Sequence, residues 1–60
     1  RIGHARRMLE DTALSVERVA QECGFGSAAS LRMHFQRAVS TTPTTYRRTF
    51  RERREAARAG

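Results

Sequence analysis

The side chains best equipped for chemistry in this sequence are its arginines. All twelve basic residues are Arg, and against six acids they leave a formal charge of +6. A guanidinium offers a rigid planar fork of donors that fits a phosphate, or the acceptor edge of guanine, two bonds at a time. Exclusive use of arginine beside abundant alanine also follows from a biased base composition, so where the charge lies says more than how much there is. Residues 1–9 hold three Arg, while residues 10–24 sum to −3, with Glu10, Asp11, Glu17 and Glu22 against Arg18. Residues 25–60 sum to +6, eight Arg against Glu52 and Glu55, so the positive potential belongs to the second half.

Other chemistries find little support. Cys23 is the single cysteine and has no disulfide partner within the chain, and no Cys or His pair has the spacing of a zinc site. Cys23 reads as a small core residue, and His4 and His34 lack acidic or cysteine partners at useful spacing. With no nucleophile–base pair, metal cluster or phosphate loop, neither an enzyme nor a cofactor is expected. No apolar run approaches the ~20 residues that span a bilayer, and the first residues lack the apolar block of a signal peptide. The expectation is a cytoplasmic, nucleoid-associated chain with no membrane partner.

Elements must hold these arginines in place, and sixty residues allow one small domain, which buries only about 60% of the surface its unfolded form exposes. Ile2, Ala5, Met8 and Leu9 recur at helical spacing and predict an amphipathic helix from Ile2 to Thr12. The chain opens with Arg1 inside that pattern, so it is expected to be cut from a longer protein. Ser15 is placed to cap a second helix over about Val16 to Cys23, with Val19, Ala20 and Cys23 on one stripe and Glu17 in the acid-favouring first turn. Gly24-Phe25-Gly26 then turns the chain, glycine supplying the left-handed conformation that closes a helix. Ser27 caps a third helix, about residues 28–38, whose inward residues are Ala28, Leu31, Phe35 and Ala38. Thr42-Pro43 starts a fourth, with Tyr46 and Phe50 sharing a face. The Arg- and Ala-rich tail 52–60 extends that helix and is expected to fray. The fold class is all-α.

Two short helices across a tight glycine turn pack steeply only where small residues let them approach, and Ala20 and Gly24 meet that need. Val16, Val19, Cys23, Phe25, Leu31 and Phe35 then form one core, closed by Leu9 and Tyr46, and the outer face of the third helix is left free. Its start, Ala28, Ala29 and Ser30, is where such a helix meets base edges in the DNA major groove, although two alanines offer only methyl contact or close approach. Arg32, in the second turn, suits a bidentate bond to guanine, or else a phosphate or solvent. Gln36 and Arg37 come a turn later, on phosphate or on a solvated face.

The run LSVERVAQECGFGSAASLRMHFQRAVSTTPTTYRR resembles the second helix-turn-helix of the AraC/XylS family of bacterial transcription regulators. The resemblance rests on Val19-Ala20, Gly24-Phe25, Leu31, Phe35 and Thr42-Pro43-Thr44-Thr45-Tyr46-Arg47, in the family's order and spacing. It implies a four-helix homeodomain-like helix-turn-helix unit over residues 1–51, with double-stranded DNA as its partner and RNA polymerase as a further one. It also implies that Arg47 and Arg48 contact the DNA backbone, where the N–H groups of Thr44 and Thr45 are placed to hold a phosphate as well. A tie from Arg47 to the core is the rival reading.

Three departures stand out. Ser40 replaces the family's usual Gly, so a left-handed residue there costs roughly 1 kcal/mol. Met33 falls where an Arg is frequent, leaving a group suited to a thymine methyl and shifting base readout onto Arg32. Residues 1–12 resemble only the end of the helix that joins the family's two reading units, and dimerisation in such families resides in a further domain. A module that docks an acidic protein through helix three or the Arg-rich last helix is the alternative function.

Overall fold

The computed structural model describes residues 1–59, and the side chains through Arg58. Four helices follow in order: α1 (Ile2–Asp11), α2 (Val16–Glu22), α3 (Ala28–Val39) and α4 (Pro43–Ala59), with no strand among the described residues. The all-α, four-helix expectation holds. From Arg51 to Arg58 every side chain is exposed while α4 runs on unbroken; Gly60, the end of the expected tail, lies outside the described residues. No helix among the described residues is long and apolar enough to cross a membrane.

Helices α2, α3 and α4 each start where a hydroxyl satisfies an orphan backbone donor, whereas α1, preceded by Arg1, has no side-chain cap. Ser15 Oγ accepts from Arg18 N at 3.1 Å, Ser27 Oγ from Ser30 N at 3.2 Å, and Thr42 Oγ1 from Thr45 N at 3.2 Å. Such caps contribute about 1 kcal/mol each. At the end of α2, Phe25 N donates to Ala20 O at 2.8 Å and Gly24 N to Gln21 O at 3.2 Å, with Gly24 at φ 82°. This is the paired-bond closure that a left-handed glycine permits. It turns the chain within five residues so that α3 packs back across α2.

Around that turn Ala5, Leu9, Val19, Ala20, Leu31 and Phe35 are almost wholly excluded from solvent, with Cys23 beside them. Burial pushes the Cys23 thiol pKa up, which suits its core role. Val16, Phe25 and Tyr46 pack against this centre, as the apolar stripes predict, and the Tyr46 ring meets Phe35 edge-on at 5.3 Å. One inward assignment fails: Ala38 is exposed, and Val39 is half-buried against the core instead. At about 100° per residue Ala38 and Val39 fall on opposite sides of the stripe formed by Ala28, Leu31 and Phe35, each about 50° from its centre, and the larger side chain is the one packed.

α1 and α4 run antiparallel, since Tyr46 and Arg47 meet Glu10 and Leu9 while Phe50 and Arg53 lie beside Arg6 in a cleft of about 460 Å³. The Tyr46 hydroxyl donates to the Glu10 carboxylate and accepts from Arg6 Nε at 3.3 Å, and the Arg6 guanidinium sits 5.6 Å from the ring centre. The Tyr46 hydroxyl also raises the Arg6 pKa above its ordinary value. The pair of helices forms a brace behind the α2–α3 turn.

Ser40 closes α3 in the left-handed region, φ 64° and ψ 26°, with its N–H donating to Gln36 O at 2.9 Å. A serine there carries strain that glycine would not. Ser40→Gly is expected to stabilise the chain by about 0.5–1 kcal/mol, the relief of strain exceeding the extra freedom glycine gives the unfolded chain. In a domain this small that is a rise of a few degrees in Tm, read by circular dichroism. An unchanged or lower Tm would show that the loop tolerates Ser40 without cost.

Candidate nucleic-acid interface

The presentation of α3 follows from its two faces. Leu31 and Phe35 are fully buried and fix its position and rotation, so the opposite side is presented rigidly. On that side Ala29, Arg32, Met33, Gln36 and Arg37 are exposed, Met33 by 52%, and Ala28 and Ser30 at the helix start are half-buried. Arg32 and Arg37 make no hydrogen bond or ion pair among the described residues. The candidate base-edge residues, Ala28, Ala29, Ser30, Arg32 and Met33, thus share the first two turns of one helix, with Gln36 and Arg37 in the turns that follow. At 1.5 Å per residue the twelve residues of α3 span about 18 Å, and a helix of this girth fits a major groove.

The surroundings keep that face open. Ser27 Oγ accepts from Ser30 N as the cap of α3. His34 Nδ1 pairs with Ser30 O at 2.8 Å, and its ring lies 5.4 Å from Phe25, tilted by 50°. The histidine therefore joins the turn to the flank of α3, a role that no local spacing announces. On α2 the exposed Arg18 is paired with Glu22 at 3.1 Å, the one ion pair among the described residues, so the only Arg of the acidic stretch is neutralised there. The unpaired positive charge lies on α3, α4 and the start of α1.

Two phosphate candidates at the start of α4 part company. Arg48 is exposed. Arg47 is half-buried and turned onto α1, its Nε donating to Leu9 O at 3.1 Å, while one terminal nitrogen is buried without a partner. Burial first, and the nearby Arg51 second, lower the Arg47 pKa from its ordinary value. Leu9 O belongs to the last turn of α1, whose carbonyls have no partner within the helix, so Arg47 closes that end. The rival reading of Arg47, a tie between α4 and the core, matches this geometry. The expectation that Thr44 and Thr45 both offer free N–H groups needs correcting: Thr45 N is committed to Thr42 Oγ1, because the cap that starts α4 consumes it.

Two short helices joined by a glycine turn, the second held by its buried face and bare on its outer one, define a helix-turn-helix. A family model described as a helix-turn-helix domain matches residues 1–49. The chain belongs to the AraC-type helix-turn-helix family, whose role is sequence-specific DNA binding in transcription regulation. It is 46% identical over 46 residues to the HTH-type transcriptional regulator Rv1931c of Mycobacterium tuberculosis, covering 77% of this chain and 18% of that protein. It is 42% identical over 48 residues to the HTH-type transcriptional regulator GlxA of Rhizobium meliloti, covering 80% of this chain and 15% of that protein. The chain thus spans less than a fifth of the length of these relatives. No solved structure matches it.

Proposed function

We propose that the chain is the second reading unit of a longer transcription regulator and places α3 in the major groove of double-stranded DNA. The observation that carries this is the outer face of α3, rigidly held from behind by Leu31 and Phe35, where Arg32 and Arg37 make no hydrogen bond or ion pair among the described residues. Ala28, Ala29, Ser30 and Met33 meet base edges by close approach and methyl contact, and Arg32 takes a guanine. Gln36, Arg37 and Arg48 grip phosphates, and Arg47 acts through the helices it ties together. The unit comprises residues 1–51. It works by binding rather than catalysis, in the cytoplasm on the nucleoid. Dimerisation in this reading belongs to a domain outside residues 1–60, and RNA polymerase is a partner for faces the duplex leaves free.

As half of a bipartite reader, the chain should bind weakly and with steep salt dependence, because counterion release supplies most of its affinity. The test is to select duplexes from a random pool, then titrate the preferred and a scrambled duplex at several salt concentrations. Arg32→Ala is expected to reduce the preference for the selected duplex by about 1–3 kcal/mol. Equal affinity for both duplexes in the wild type, or no binding at low salt, would overturn the reading. An Arg32→Ala chain that keeps its duplex preference but no longer captures an acidic partner would favour the protein-docking alternative.

A further inference from the structure

The last turns of α4 carry charge that the α3 interface does not use. Arg51, Arg54 and Arg58 recur at three- and four-residue steps and, with Glu55, line one shallow cleft on the helix flank. All four are exposed. None forms an ion pair, the one pair among the described residues being Arg18–Glu22. Arg54 is also held in place, its guanidinium 5.6 Å from the centre of the Phe50 ring, and Arg51 lies near enough to Arg47 to disfavour that residue's charged form. Three guanidinium groups thus share a flank with a single carboxylate, leaving it net positive with none of them in an ion pair, in a segment beyond residues 1–49 of the family match.

We propose that Arg51, Arg54 and Arg58 form a second phosphate-gripping surface, separate from α3, that holds the DNA backbone outside the groove being read. The proposal rests on the DNA-binding reading above and adds a part to it. From Arg51 to Arg58 the helix rises about 10 Å, which is about the axial span of four successive phosphates on one strand, enough for each guanidinium to reach a phosphate of its own. An acidic protein is the other polyanion that such a stripe attracts, but protein interfaces are anchored by buried aromatic or large apolar groups. Between Arg51 and Arg58 the only apolar residues are Ala56 and Ala57. A surface of charge without an anchor suits a phosphate backbone. Backbone contacts carry no sequence information, so the stripe adds affinity and leaves base preference alone.

The test compares the wild-type chain with the triple variant Arg51→Gln, Arg54→Gln, Arg58→Gln. Glutamine keeps the helix, which circular dichroism verifies. With the selected duplex titrated across salt concentrations, the variant is expected to bind more weakly and to lower the slope of log K against log salt by about 2.7, three contacts at ~0.9 each. Its ratio of affinities for selected and scrambled duplex should equal that of the wild type. Glu55→Gln, which removes the one acid of the cleft, should tighten binding to both duplexes. A triple variant with unchanged affinity and slope would overturn the stripe while leaving the α3 reading in place. The same holds if polyglutamate binds the wild type but not the variant while duplex binding is equal in both. A wild-type chain that does not bind duplex at all would overturn both.

Discussion

Phe35→Ala is expected to leave the chain without a cooperative folded state at room temperature. Phe35 is the largest of the fully buried side chains, and it lies between the α2–α3 turn and the Tyr46 brace. Truncating a buried Phe costs about 3–5 kcal/mol, part lost transfer energy and part cavity. A chain of sixty residues at ~0.05–0.15 kcal/mol per residue holds roughly 3–9 kcal/mol in all, so the substitution removes from about a third of it to all of it, about half or more of it near the middle of the range. No disulfide or metal cluster is found among the described residues to make up the loss. The measurement is thermal and urea unfolding followed by helical circular dichroism. Phe35→Leu, which keeps most of the volume, should retain a cooperative melt at lower temperature. A Phe35→Ala chain that still melts cooperatively within a few degrees of the wild type would mean that Phe35 is not the centre of the core.

The sensitivity of that one position reflects how the parts are divided. Caps, the Gly24 turn and the apolar stripes are decided within about five residues of chain, and all of them were legible as spacing. Ser15, Ser27 and Thr42 each cap the helix that follows, and Ser40 adopts the left-handed conformation its position demands. What spacing did not reveal spans much longer separations. The Glu10–Tyr46–Arg6 network and the Arg47 tie to Leu9 join residues 36 to 40 apart. They exist because α4 returns antiparallel along α1, which no local pattern specifies. The same return decides which way Arg47 points: the sequence motif marks an arginine at the start of α4, whereas the packing turns it inward and leaves Arg48 exposed. The choice between Ala38 and Val39 was close for a related reason. The two lie about equally far from the centre of the stripe, and the packing that buries Val39 comes from outside α3.

For the interface itself the sequence showed which residues share a helical face. The structure adds that this face is rigidly backed and that its arginines are unpaired among the described residues. A charge placed at its start tests whether it meets DNA. Ala29→Glu is expected to leave the fold intact and to lower duplex affinity by several kcal/mol, on the order of a hundredfold or more. Ala29 is exposed in the first turn of α3, which holds no acid, and a carboxylate there interacts favourably with the helix dipole, so stability should hold or rise slightly. Binding should suffer, because the carboxylate would enter a groove walled by phosphates and floored by base acceptors. Gln21→Glu on the exposed face of α2 makes the same change in net charge away from α3 and serves as the control. It should cost only the small uniform loss that follows from a chain of +5 instead of +6. If the two variants lose affinity equally, charge alone binds the duplex and α3 does not sit in the groove. If Ala29→Glu loses far more at unchanged Tm, the start of α3 is where the chain meets the bases, with Arg32 one turn behind it.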